Sequence, residues 1–215
     1  MTWLADNWST VLQLARDHLY LAGLPLVIGL LVALPLGWAA KRWSRAYPAI
    51  ITSTGLLYTI PSLALFVIMP IVLGTKILDP VNVVVAMTIY TVALLVRTVA
   101  DGLKAVPDSI EQAATAMGYR GLRRLFGVEL PLAVPVIASG LRVAAVSNVS
   151  IVSVASLIGV SQLGDLLVDG YNRVIWAELV TGVLSCILLA LLLDGVIILG
   201  TRVLTPWVRA QGGRA

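Results

Sequence analysis

Along this chain the apolar positions do not alternate with polar ones; they gather into blocks long enough to cross a bilayer. Residues 18–40 and 46–75 contain no Asp, Glu, Lys or Arg. Each block exceeds the roughly 20 apolar residues needed to span a hydrocarbon core of about 30 Å. Backbone N–H and C=O groups there have no water to bond, so the blocks predict helices. The pattern places five spans, at about residues 19–40, 50–73, 81–100, 132–158 and 177–203. The expected fold class is an all-α polytopic membrane protein with about five transmembrane helices. Prolines 25, 35, 61 and 70 fall inside or near the ends of spans. Kinks or broken turns are tolerable there because neighbouring helices re-satisfy the freed carbonyls.

Composition agrees with that reading. Of 215 residues, 59% are apolar and only 12% charged, with a mean hydropathy of +0.97. A soluble domain carries about a quarter charged residues, so much of this surface faces lipid. The net charge of +4 does not point to nucleic acid, because the basic residues sort by topology. Lys41, Arg42, Arg45, Lys104, Arg120, Arg123, Arg124, Arg202, Arg209 and Arg214 fall at one end of the spans. Only Arg16, Lys76 and Arg173 fall at the other. The positive-inside tendency then predicts an external N-terminus and a cytoplasmic C-terminus. The first residues lack a basic n-region and a small-residue cleavage site, so no removable signal peptide is expected.

The expected organisation is one membrane domain at 19–205, an external amphipathic segment at 1–18 and a cytoplasmic tail at 206–215. Trp3, Leu4, Trp8, Val11, Leu12 and Ala15 recur at roughly helical spacing. They fit either a helix lying on the outer face or a frayed, aromatic-anchored end. The glycine-rich stretch after residue 158 predicts a short non-spanning element at that face. Cys186 is alone, which removes any disulfide or cysteine–metal framework.

The most informative polar segment is the loop at about 104–131. Asp108 and Glu111 form a D-x-x-E pattern expected to cap a helix, and Pro107 discourages an earlier start. Ala113, Ala114 and Ala116 make that helix slim. Gly118 sits where a left-handed residue would close it. A short basic stretch at 121–126 follows, and Leu130-Pro131 is expected to turn the chain back into the membrane. By composition alone this is a solvated loop with a surface helix.

Its spacing resembles the EAA loop of binding-protein-dependent ABC importer permeases, E-A-A-x3-G-x9-I-x-L-P. The alanines fall on Ala113 and Ala114, the glycine on Gly118 and the Leu-Pro pair on Leu130 and Pro131. Val128 holds the isoleucine position and Gln112 the glutamate position, with Glu111 one residue earlier. Segments 58–66 (YTIPSLALF), 128–146 and 156–170 (SLIGVSQLGDLLVDG) resemble the osmoprotectant branch, which carries glycine betaine, carnitine, choline and related quaternary amines.

The resemblance implies a type I importer permease in a bacterial cytoplasmic membrane. It implies a second permease copy or paralogue, two cytoplasmic ATPases and an external substrate-binding protein. Glu111, Gln112, Ala113, Ala114, Gly118, Leu130 and Pro131 are then the expected ATPase-docking residues. The chain has no G-x-x-x-x-G-K-[ST] phosphate loop, so ATP and Mg are expected on the partner. No catalytic residue, metal ligand or cofactor is assigned to this chain.

Tyr58, Thr59, Ser62, Ser147, Asn148, Ser150 and Ser153 are the expected lining of a translocation path; the alternative is that they bond helices together. Trp38, Tyr58, Phe66 and Tyr90 form no aromatic cage by their spacing. Arg97, Arg142 and Asp194 lie within apolar segments, where charge is costly. Arg142 and Asp194 have comparable depth and are expected to pair, while Arg97 is expected to snorkel to the interface. Competing readings are a methionine-type or other small-solute importer, an ion-coupled carrier or channel, and an intramembrane enzyme. No inverted repeat is visible for a carrier, and the sole histidine, His18, stands at the outer boundary beside Asp17.

Overall fold

A computed structural model describes residues 2–207. Its helices are α1 (Thr2–Asp6), α2 (Trp8–Arg42), α3 (Tyr47–Tyr58), α4 (Ser62–Leu73) and α5 (Pro80–Lys104). These are followed by α6 (Asp108–Ala116), α7 (Gly121–Arg124), α8 (Leu130–Val152), α9 (Gly164–Asn172) and α10 (Trp176–Leu204). Four of the helical stretches are long and apolar enough to cross a membrane, and α3 with α4 makes a fifth only as a pair bent by 100°. Arg209 and Arg214, with most of the expected tail, lie outside the described residues.

The first span begins earlier than its hydropathy suggests. α2 runs unbroken from Trp8 to Arg42, through Pro25 and Pro35, so residues 8–18 continue the spanning helix rather than lying flat on a surface. Val11, Leu14 and His18 of that extension are buried. The second expected span is broken at Thr59-Ile60-Pro61. Pro61 takes extended ψ ahead of α4, as a ring that cannot donate to the preceding turn favours. The Tyr90 hydroxyl donates to the Ile60 carbonyl, occupying an acceptor that the break leaves free.

α5 is the axis of the bundle and packs against α2, α3, α4 and α8. In its most apolar stretch 61% of the residues are buried, against 11% for α10. Toward the Trp8 end of α2, Leu21, Phe66, Met87, Val152 and Leu163 form one core. Toward the Arg42 end, Leu26, Leu95, Val99, Leu103 and Ile137 form another. We call the Arg42 end the basic end, because Lys41, Arg42, Lys104 and Arg120 to Arg124 gather there.

What lets α2 lie so close to α5 is a stripe of small residues, Gly29, Ala33 and Gly37. A Cβ on Gly29 would stand 2.5 Å from Thr91 Cγ2, and one on Gly37 would stand 2.6 Å from Val99 Cγ1. In lipid, where burial of apolar surface gives little drive between helices, such close backbone approach supplies the attraction.

At the basic end the loop is ordered. α6 ends on Gly118 at φ +88°, the expected left-handed closure, whose cost glycine avoids. The cap at its start differs from expectation. Pro107 holds the cap position without a side-chain bond, and Asp108 and Glu111 lie inside the first turn. Both acids still complement the helix dipole there. Leu130-Pro131 makes no turn either. Residues 121–158 form one 38-residue helical rod, with a π-helical turn at Leu125–Glu129. Leu130 N–H bonds Leu125 C=O across that turn. The widened turn makes room just before Pro131, whose ring would crowd a regular α-turn. At 1.5 Å per residue the rod is about 57 Å long, so one end must protrude from a bilayer.

Beyond Val152 the rod tightens into a 3-10 turn, Ser153–Ile158, and Gly159 reverses the chain at φ +83°. α9 is the short non-spanning element expected from the glycine-rich sequence.

Candidate functional site

Two constellations of polar side chains stand out: a charge cluster under α6, and an ion pair between the interiors of α8 and α10. The first joins four charges from four parts of the chain. Lys41, at the end of α2, reaches Glu111 Oε1 of α6 at 2.5 Å and Glu129 Oε2 of the π-turn at 2.7 Å. Arg124 donates through Nε to Glu129 Oε1 at 2.6 Å, stands 3.4 Å from Glu111 Oε2, and donates to Thr115 Oγ1 at 3.1 Å. Two cations face two carboxylates, so the cluster is neutral. The Glu129 side chain is only 3% exposed. Both of its oxygens are satisfied by cations, as a buried carboxylate requires.

This geometry divides the residues expected to dock an ATPase. Glu111 turns inward and ties α6 to α2 and to the rod, rather than presenting its charge outward with Gln112. Ala114 is buried at 1% exposure. Gln112, Ala113, Ala116 and Met117 form the outer face, Met117 being 71% exposed. Gly118 closes the helix, and Leu130 and Pro131 belong to the rod, part of the support and not of that face. Lys41, Arg124 and Glu129 were missed as site residues. Lys41 and Arg124 read as topology markers, and Glu129 sits inside the motif at a position where any residue is accepted. Sequence spacing gives no signal for contacts across 70 or 88 positions.

The second constellation is the expected intramembrane pair. Arg142 Nε donates to Asp194 Oδ1 at 2.6 Å and Nη2 to Oδ2 at 2.9 Å. This is the two-pronged fit of a guanidinium on a carboxylate. The arginine side chain is 45% exposed and the aspartate 20%. Both open onto a groove of about 660 Å³ between α8 and α10, whose other walls include Ser139, Val143, Val146, Ser147 and Leu191. Arg97 is exposed and pairs loosely with Asp101 one turn on, at 3.8 Å.

The expected path residues separate in the same way. Ser147 lines the Arg142–Asp194 groove, and Ser150, exposed, stands one turn further along α8. Asn148 does not line it: buried at 2%, it donates to the Ala22 carbonyl and to Thr91 Oγ1, bonding α2, α5 and α8 together. Ser153 bonds back to the Ser150 carbonyl. Tyr58, Thr59 and Ser62 lie at the α3–α4 break. Thr59 Oγ1 donates to the Leu56 carbonyl, and Tyr58 meets Tyr90 edge-on at 5.7 Å. Phe66 is wholly buried, so these aromatics pack the core and the α3–α4 break and form no cage.

His18, expected at the outer boundary, is fully buried within the bundle. Its Nδ1 lies 2.8 Å from Gln162 Oε1 and its Nε2 lies 3.0 Å from the Val149 carbonyl. Gln162 in turn accepts from Gly164 N–H and donates to the Ser153 carbonyl. The group pins α2 to the reversal after α8. Among the described residues, no group of His, Cys, Asp and Glu could hold a metal ion.

The rod is longer than one bilayer crossing, an ordered loop helix packs at its basic end, and the second apolar segment is bent. Residues 26–210 match the family described as binding-protein-dependent transport system inner membrane component. The chain belongs to this family. Among similar proteins, the glycine betaine/carnitine/choline transport system permease protein of Bacillus subtilis is 31% identical over 96% of this chain and 94% of its own length. An osmoprotectant import permease protein of Salmonella typhimurium is 33% identical over 95% and 96%. A chain of the MetNI methionine ABC transporter, solved in inward-facing conformations, shares the fold. It has a TM-score of 0.80 at 18% identity, over 90% of this chain and 95% of that one. For this binding-protein-dependent permease the fold is therefore that of an ABC importer membrane domain.

Proposed function

We propose that this chain is the membrane-spanning subunit of an ATP-driven importer for osmoprotectants of the glycine betaine, carnitine and choline class. The curated relatives support that class: at 31–33% identity they cover nearly the whole chain. The methionine transporter resembles it in fold at 18% identity. The chain works beside a second permease, with two ATPase subunits that bind ATP and Mg and with an external binding protein. It is not itself an enzyme. Its basic end faces the cytoplasm, which places the N-terminus outside and the C-terminus inside a bacterial inner membrane.

One observation carries the mechanism. α6 offers a slim, nearly uncharged outer face of Gln112, Ala113, Ala116 and Met117, while its inner face is clamped by Lys41 and Arg124 to α2 and the rod. A rigid ATPase moving against that face would transmit force to two spanning helices at once. The clamp replaces the flexible loop that would otherwise absorb the motion. With Gln112 at the outer face, docking rests on shape and hydrogen bonding instead of on a charge there.

Reconstitution tests the reading. Proteoliposomes holding this chain, its ATPase and its binding protein should accumulate glycine betaine only when ATP is present on the ATPase side. Equal uptake without the ATPase would overturn it and favour a channel or carrier.

A further inference from the structure

Arg142 lies 13 positions along the rod from Glu129, about 20 Å at helical rise, well inside the apolar helix α8. Asp194 lies ten positions from the end of α10, at a similar depth. A half-exposed ion pair at that depth cannot face acyl chains without a large cost. The α8–α10 groove must therefore face water or another subunit inside the assembly, not lipid.

The chemistry of the groove is specific. A guanidinium from α8 meets a carboxylate from α10, Ser139 and Ser147 add hydroxyls, and Val143, Val146 and Leu191 supply apolar surface. A bare cation entering here would satisfy Asp194 but strand Arg142, and an anion would do the reverse. Either way the pair loses its two-pronged contact and one of its charges is left without a partner. Only a solute with both signs can take the pair apart and leave nothing unpaired, exchanging one ion pair for two. A carboxylate fits the guanidinium fork. A quaternary ammonium, which has no N–H to satisfy, is content with the aspartate's charge and the apolar wall. The groove volume falls within the range of small-molecule sites.

We infer that the Arg142–Asp194 groove is a transit subsite for zwitterions carrying a quaternary ammonium and a carboxylate, which the protein admits by opening its own ion pair. This deepens the reading under Proposed function and rests on it.

The experiment measures uptake of glycine betaine, a zwitterion, and choline, a cation without a carboxylate, by the full reconstituted complex. Arg142→Gln should shift the betaine-to-choline uptake ratio toward choline by about tenfold, the worth of one charge-assisted contact. Asp194→Asn should move the ratio the other way, because choline then meets only Arg142. A merely structural pair would lower both substrates by one factor in both variants, and that outcome overturns the inference. Should either variant fail to assemble, Ser147→Cys in a Cys186→Ser background decides. A small thiol reagent should modify it during turnover, and saturating glycine betaine should slow the modification several-fold relative to choline. Equal rates with both solutes overturn the inference. If the wild-type complex moves neither solute with ATP, the functional reading itself has failed; if it moves them and the ratios stay fixed, only the subsite has.

Discussion

Lys41 Nζ lies 2.5 Å from Glu111 Oε1, joining the last turn of the first spanning helix to the first turn of the loop helix. The same ammonium holds Glu129, so one lysine fixes the angle between the lever, the first span and the rod. The interaction is well shielded, the lysine side chain being 15% exposed and that of Glu111 18%. It should therefore exceed the value of a surface pair.

Lys41→Met tests this clamp. Glu129 keeps Arg124, so the bundle should still fold, with a loss of about 1.5–3 kcal/mol for the charged hydrogen bonds removed. Transport should fall much further than stability. ATP hydrolysis by the assembled complex should continue while betaine uptake drops, and the ratio of the two rates is the measurement. Unchanged coupling would show that α6 does not need its anchor.

Neighbouring alanines of the loop helix should behave oppositely. Ala113→Glu places a charge on the exposed face and should leave thermal unfolding of the membrane domain within about 0.5 kcal/mol, yet abolish co-purification with the ATPase. Ala114→Glu buries a charge against the rod and should lower the unfolding temperature outright. Retention of the ATPase by the Ala113 variant would count against this face as the docking surface.

The α2–α5 seam predicts a sharp size limit. Gly29→Val and Gly37→Val would drive methyl groups into Thr91 and Val99, and each should cost about 1–3 kcal/mol or more through overpacking. Gly55→Ala is the control, since nothing lies within 4 Å of the position its Cβ would take. Thermal unfolding in detergent separates the three; equal effects would mean the close approach is not used.

At the other end of the bundle, Gln162→Leu orphans the Gly164 N–H and removes the partner of His18 Nδ1, while the Ser153 carbonyl keeps the Ser156 hydroxyl. About 1–3 kcal/mol is expected for each buried group left unsatisfied. Because His18 belongs to the same group, His18→Leu added to Gln162→Leu should cost less than the sum of the single changes. Strict additivity in a double-mutant cycle would show that the two side chains act separately.

The residues differ in how far they could be read in advance. Arg142 and Asp194 could be paired from sequence because helical rise converts position into depth and charge at depth demands a partner. The same arithmetic could not separate Ser147 from Asn148. One residue is 100° of helix rotation, enough to send the serine to the groove and the asparagine into the core. Gly118 could be read because its left-handed backbone is a local property. The small-residue stripe Gly29-x3-Ala33-x3-Gly37 was also present in the sequence as a packing signal. What it could not show was which helix would fill it.

Sequence alone determined that this chain lives in a bilayer, which blocks are apolar enough to cross it and which loop carries the family's spacing. These follow from hydropathy, helical period and local backbone preference, none of which needs a neighbour. Only the tertiary structure decided that Glu111 faces inward, that α2 extends back to Trp8 over a buried His18, and that the second span breaks at Pro61. Each of those depends on partners far along the chain: Lys41 and Arg124 for Glu111, Gln162 and Val149 for His18, Tyr90 for the freed Ile60 carbonyl. The physical reason is common to all three. A polar group in a dry interior must find a partner, and which one it finds is set by how the helices pack, not by where the residues stand in the sequence.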